Sequence, residues 1–302
     1  MSTRPKTVTG ARGTGDDTGD RGGAADYRRP PSRTGPPPGV DVWLIPLDPA
    51  AGTRATARAG SGPATDRSAG LDRAERGRAR AFRDPSVARR YVAAHSAVRS
   101  VLGRYLGSPG TELRWATGPH GKPVFEGEHR DWHWSTSRSG AHALLAVSRT
   151  APVGVDIERI SVSARAVLPL AARFLPPEEA ALVARGPAPY DRRSAYHRLL
   201  SRKESCVKAV GGRFLEGLRL PVAGTGAVTA AGGPRGELAH ARMRLADLPA
   251  PAGWVATLAT VGEAPMPLRL FAWPSPGLPL PAIDFGDDDG PRAATDRTAV
   301  AR

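Results

Sequence analysis

Two short segments of this 302-residue chain carry side chains whose types and spacing suit phosphate chemistry. The first is Val153-Gly154-Val155-Asp156-Ile157-Glu158. Side chains alternate faces along a strand, so Val153, Val155 and Ile157 are expected in a core. Asp156 and Glu158 then share the other face, beside a glycine that leaves open space. Two adjacent carboxylates repel each other unless a cation or a basic group lies between them. Oxygen ligands of this kind suit Mg2+, which takes one or two carboxylates and leaves its other positions to water and substrate phosphates. A strand with a solvated acidic face is the plainer alternative. The second segment is Leu200-Ser201-Arg202-Lys203-Glu204-Ser205-Cys206-Val207-Lys208. Glu204 and Lys208 stand i,i+4 on a helix, which is also the spacing of an ordinary surface ion pair. Lys203 falls within the apolar stripe of Tyr196, Leu199, Leu200, Val207 and Val210, an expensive place for an ammonium unless an anion meets it. A carboxylate and two lysines at the rim of a core describe a site for a metal-bound pyrophosphate.

Several elements must position these groups. Val40–Leu47 is expected as a buried opening strand. Leu71–Phe82 and Pro85–Leu106 are expected as helices, the second with Val87, Tyr91, Ala94, Val98, Val101 and Leu102 at helical spacing. Short strands are expected at Leu113–Trp115 and Pro123–Phe125, and Trp132–Ser135 leads into a turn over Ser137–Gly140. Ala143–Ser148 and Val153–Ile160 form the clearest strand pair. Then come helices over Arg165–Phe174, Pro177–Arg185 and about Tyr190–Val210, the last ended by Gly211-Gly212. Strands near Leu218–Val222 and Trp254–Val261 follow. Helices and strands intermix without βαβ regularity, which gives an α+β class.

Composition bounds the partners. Residues 1–39 and 274–302 are poor in large apolar side chains and are expected as disordered tails. The body between them suits one large domain or two packed halves. The formal charge is +14, and residues 67–104 hold ten basic against three acidic side chains. Such a surface implies an anionic partner: nucleic acid, a phosphate ligand, an acidic protein or a membrane. One cysteine, Cys206, allows no intrachain disulfide and no cysteine-rich zinc module, and is expected as a small buried hydrophobe. No run approaches a membrane span and no signal peptide is evident, so the expectation is a soluble cytoplasmic protein. His129 and His133 lack a helix and cysteine partners for zinc. Gly10–Gly23 lacks the Lys-Ser/Thr of a phosphate loop.

Taken in order, three segments resemble the signature of 4'-phosphopantetheinyl transferases. They are Gly154-Val155-Asp156-Ile157-Glu158, then Arg173-Phe174 with Glu178-Glu179, then Lys203-Glu204-Ser205-Cys206-Val207-Lys208. The length is similar to the Sfp-like class, in which one chain holds two pseudo-symmetric α/β halves with the active site between them. The opening strand with Trp43, the helix Ala88–Leu106 with Arg90 and Arg99, the turn Gly121-Lys122-Pro123 and the run Trp134–Gly140 extend the likeness over about Val40–Val261.

That resemblance implies transfer of the phosphopantetheine arm of coenzyme A to a serine of an acyl or peptidyl carrier protein, with release of 3',5'-ADP. It implies halves at 40–150 and 151–273. Asp156, Glu158 and Glu204 would hold Mg2+, with Mn2+ as a substitute. Glu204 would accept the serine proton, directly or through water, and Lys208 with Lys203 would neutralise the departing ADP. Arg90 and Ser137 would bind the 3'-phosphate of coenzyme A, Arg99 would be turned towards coenzyme A, and Gly121-Lys122-Pro123 would cradle adenine. The partners implied are coenzyme A and acidic carrier domains, served by a monomer without nucleic acid or membrane. Two departures stand out. Arg138 replaces the family's usual phosphate-binding histidine, and an arginine keeps its charge across pH. Leu200 replaces the usual tryptophan ahead of the Lys-Glu pair. A non-catalytic nucleic-acid-binding protein would account for the basic surface, but not for Asp156, Glu158 or Lys203.

Overall fold

The computed structural model describes residues 37, 39–48, 70–118, 120–229, 238 and 241–274. The expected tails, except residues 37, 39 and 274, lie outside these residues. Two four-stranded sheets make the body. The first has the order β10 (Leu268–Ala272), β1 (Val40–Pro46), β5 (His142–Ser148), β4 (His133–Ser139). The second has the order β6 (Val153–Arg159), β9 (Trp254–Val261), β8 (Arg242–Leu248), β7 (Gly226–Thr229) and is antiparallel throughout. A small ribbon pairs β2 (Ala116–Thr117) with β3 (Pro123–Val124). The α+β class holds.

Each sheet is backed by one long helix. Asp84 caps α2 (Pro85–Leu106), whose first residue is a proline, and Gly107 ends it in the left-handed conformation. Its Ala94, Ala97, Val101 and Leu102 pack on Trp43, Ile45, Leu145 and Val147 of the first sheet. On the second sheet lies α5 (Pro189–Val210), also proline-initiated and ended by a left-handed Gly211. The shorter α3 (Val167–Phe174) and α4 (Pro177–Ala184) flank it. A third core joins the two sheets: Val40, Val42 and Leu44 of β1 meet Val153, Val155 and Ile157 of β6 with Ala256 and Leu258 of β9. The inward set expected for β6 is therefore correct.

The two sheets also meet at an edge. Ser135, Ser137 and Ser139 alternate along β4 and so share one face. Ser135 Oγ accepts from the Val155 amide at 3.1 Å and Ser139 Oγ from the Arg159 amide at 2.9 Å. Between them Ser137 Oγ donates to Asp156 at 2.7 Å. Hydroxyls thus satisfy β6 amides that no neighbouring strand reaches. This explains why β4 continues through Ser139 where a turn over Ser137–Gly140 was expected.

Other expectations need correction. Leu113–Trp115 is not a strand; the ribbon begins only at Ala116, because the Leu113 carbonyl is taken by Arg99 and Trp115 packs edge-on to Trp134. Leu218–Val222 is not a strand either. A short helix α6 (Phe214–Gly217) precedes it, and side chains claim its backbone. Leu220 O accepts from Lys203, Val222 N donates to Glu179, and Val222 O accepts from Arg202. Strands β7, β8 and β10 went unread. β10 returns to pair in parallel with β1, so the last strand of residues 151–273 completes the first sheet.

Candidate active site

The second sheet and α5 approach unusually closely at Gly154. A Cβ there would lie 2.0 Å from Ser205 O and 2.3 Å from Ala209 N. The open space expected beside this glycine is therefore filled by helix backbone. Running antiparallel to β6, α5 brings His197 to Glu158 at one end and Ser205–Ala209 to Gly154 at the other. His197, Ser201, Glu204 and Lys208 recur at helical spacing and form a polar face turned to the strand. Asp156, only 1% exposed, sits at the centre of this interface.

One ligand oxygen from each of Asp156, Glu158 and Glu204 lies within 4.8 Å of the others, the one such cluster among the described residues. Lys208 Nζ stands 2.8 Å from Asp156 Oδ1 and 3.2 Å from Glu204 Oε1, and donates to Ser137 Oγ at 3.0 Å. The solvated acidic face and the isolated surface ion pair are both excluded, because the two segments build one site. Burial and the neighbouring Asp156 carboxylate push the Glu204 carboxyl above its ordinary range. Burial pulls the Lys208 ammonium down, but Asp156 and Glu204 outweigh it and hold it above the usual lysine value. Asp156 Oδ2 is buried without a hydrogen-bond partner. An orphaned carboxylate oxygen beside two further carboxylates, with no nitrogen or sulfur donor, fits a hard divalent cation such as Mg2+ or Mn2+.

The remaining expected residues separate into two groups. Ser137 belongs to the site through Asp156 and Lys208. Arg138 lies over the Tyr91 ring, with its guanidinium carbon 5.5 Å from the centroid. Arg90 forms a two-point, solvent-exposed ion pair with Asp48 at 2.8 and 2.7 Å. Gly121 takes a positive φ of 88° in the turn before Pro123, which opens β3.

Three lysine and arginine expectations change. Lys203 is fully buried and pairs with Glu179 of α4 at 2.7 Å while donating to Leu220 O, so its ammonium is committed away from the carboxylate cluster. Arg99, 2% exposed, is equally committed. It joins Asp72 and Glu75 of the capping box of α1 (Arg73–Ala81) to the carbonyls of Gly110 and Leu113, and lies 4.3 Å over the Trp115 ring. Lys122 inserts its ammonium into the C-terminal end of α5, donating to the carbonyls of Val153, Lys208 and Ala209. It packs on Gly211 and caps the helix that carries Lys208.

Comparison with known proteins adds an independent observation. Residues 152–247 match the family model described as the 4'-phosphopantetheinyl transferase superfamily. That span contains Asp156, Glu158, Glu204 and Lys208. Over that span the chain is similar to that superfamily. It is also 29% identical over 185 residues to the 4'-phosphopantetheinyl transferase HetI of Nostoc sp., covering 61% of this chain and 73% of HetI. No helix among the described residues is long and apolar enough to cross a membrane.

Sequence reasoning passed over one residue beside the carboxylate cluster. His197 Nδ1 stands 2.7 Å from Glu158 Oε2, and its Nε2 accepts from the amides of Ser161 and Val162, each at 3.2 Å. Its place seven residues before Glu204 puts it on the same helix face, a signal that a helical wheel centred on Glu204 would have given.

Proposed function

We propose that the protein moves the 4'-phosphopantetheine arm of coenzyme A onto a serine of an apo carrier protein and releases 3',5'-ADP. The observation that carries this reading is the cluster of Asp156, Glu158 and Glu204 with the Lys208 ammonium between two of them. Asp156, Glu158 and Glu204 would hold Mg2+ or Mn2+, and a cation held there supplies positive charge to the coenzyme A pyrophosphate. The carrier serine oxygen attacks the β-phosphate, and the bond from that phosphorus to the oxygen leaving with 3',5'-ADP breaks. Glu204, whose raised affinity for a proton suits a base, takes the serine proton directly or through water. Lys208 stays protonated and stabilises charge on the departing phosphate. Ser137 orients both Asp156 and Lys208.

Arg90 and Arg138 remain free enough of the core to meet the 3'-phosphate of coenzyme A, and the Gly121–Pro123 turn is assigned to its adenine. The basic exposed side of α1 suits acidic carrier domains of polyketide, nonribosomal-peptide or fatty-acid synthases. Two pseudo-symmetric halves in a cytoplasmic monomer complete the reading, supported by two 22-residue helices, each begun by a proline and ended by a left-handed glycine, one on each sheet. The test is incubation with coenzyme A, Mg2+ and an apo carrier, followed by the carrier's mass. Wild type adds one phosphopantetheine per carrier, and Asp156→Asn adds none within the same time. Full modification by Asp156→Asn would remove the proposed site.

A further inference from the structure

We infer that His197 is a positioning residue that aims Glu158 into the carboxylate cluster, by donating a hydrogen bond from Nδ1. This rests on the proposed metal-binding reading of Asp156, Glu158 and Glu204, and adds a residue to it. The argument begins with protons. Nε2 faces two backbone amides, Ser161 and Val162, each 3.2 Å away. An amide only donates, so Nε2 must accept and carries no proton. The ring's proton is then on Nδ1, where it points at Glu158 Oε2 at 2.7 Å. Backbone geometry thereby fixes the tautomer, and the tautomer fixes the direction of the hydrogen bond.

The consequence for Glu158 is orientational. Its carboxylate has two oxygens, and occupation of Oε2 by the imidazole leaves Oε1 to face the cluster. Glu158 is the penultimate residue of β6 and partly exposed, so nothing in the strand holds its side chain in one rotamer. Asp156 has Ser137 and Lys208 to hold it, and Glu204 has Lys208. His197 is the corresponding hold on Glu158, and it is itself buried. It also lies on α5 two turns before Glu204, so one helix supplies one carboxylate and aims another. Partners outside the ligand shell of this kind change metal affinity by about 10–100-fold.

The test separates the two sides of the ring. The amide nitrogen of Asn overlays Nδ1, so His197→Asn keeps the donor to Glu158 and gives up the acceptor for Ser161 and Val162. His197→Gln places its polar atoms near Nε2 and reverses the trade. Mn2+ alone is titrated into the full chain of each variant, with free Mn2+ read by electron paramagnetic resonance. The melting temperature of the metal-free protein is measured in parallel. We expect His197→Asn to bind Mn2+ within a few-fold of wild type, and His197→Gln to bind at least ten-fold more weakly. In a Glu158→Gln background the two substitutions should give the same affinity. Equal Mn2+ affinities for His197→Asn and His197→Gln, or tighter binding by His197→Gln, would overturn the inference whatever the melting temperatures do. Wild-type Mn2+ binding that survives Asp156→Asn would instead overturn the metal site itself, and the inference with it.

Discussion

Replacing Gly154 by alanine should damage both stability and the site, and the size of the effect follows from two distances. An added Cβ would stand 2.0 Å from Ser205 O and 2.3 Å from Ala209 N, where real Cβ contacts stay above 3.0 Å. Backbone lies on both sides, so no side chain can rotate away. β6 and α5 must part by about 1 Å, whereas metal–ligand distances hold to within about 0.2 Å. Asp156 and Glu158 ride on β6 and Glu204 on α5, so the movement splits the cluster along its seam. Overpacking of this kind costs about 1–3 kcal/mol, and the backbone contact places Gly154→Ala at the upper end. The smaller conformational freedom of unfolded alanine returns about 0.4–1 kcal/mol. A net loss of about 2 kcal/mol is therefore expected in urea unfolding of the metal-free protein. Mn2+ binding should weaken at least ten-fold, and carrier modification should slow in parallel. Wild-type stability together with wild-type Mn2+ affinity would refute the packing argument.

Other consequences can be measured in the same way. Lys203→Met alone leaves Glu179 buried and unpaired and should cost about 3–5 kcal/mol, whereas the double change Lys203→Met, Glu179→Leu should recover most of it. A double-mutant loss equal to the sum of the two single losses would show that the two do not act as a pair. Arg99→Ala should lower the melting temperature while leaving the Michaelis constant for coenzyme A unchanged, since every guanidinium partner lies within the protein; a large rise in that constant would return Arg99 to the ligand. Burial pushes the Glu75 carboxyl up, but hydrogen bonds from His95 and Arg99 outweigh it and hold it near a pKa of about 2. A depressed carboxylate contributes stability that is complete above its unfolded value of 4.5 and is lost as pH falls toward about 2. The loss is about 3 kcal/mol, and a Glu75→Gln variant should show a flatter stability profile between pH 5 and 2, by about that amount.

How much of this was legible depends on where each signal resides. The alternation of Val153, Val155 and Ile157 against Asp156 and Glu158 lies within one strand, and the i,i+4 relation of Glu204 and Lys208 within one helix. Local periodicity carried both. The charged residues that changed role did so through partners distant in sequence. Lys203 meets Glu179, Arg99 meets Glu75 and the carbonyls of Gly110 and Leu113, and Lys122 meets carbonyls near residues 153 and 208. An isolated motif names a basic residue but not whether its counter-charge is a ligand or another part of the fold. Gly154 misled for a related reason, because a missing side chain signals either a cavity or a close backbone, and only the position of α5 decides between them. His197 was hidden because the polar face of α5 resembles a solvated one until β6 is laid against it. Strand β10 is only five residues long, Leu268-Arg269-Leu270-Phe271-Ala272, without polar alternation to mark a face, and gains its place from pairing with β1.

That pairing sets a timetable for the nascent chain. Arg269 of β10 holds Asp41 of β1 through two hydrogen bonds across 228 residues of sequence. At ordinary synthesis rates, roughly 10–45 s separate the emergence of the two strands. During that interval β1 presents one unpaired edge, flanked by Val42 and Leu44, and Asp41 has Tyr105 but not its guanidinium. The first strand made is among the last to be finished. Shielding of that edge on the ribosome, and the slow closure of so distant a contact, should therefore govern the yield of folded protein more than the strength of either sheet.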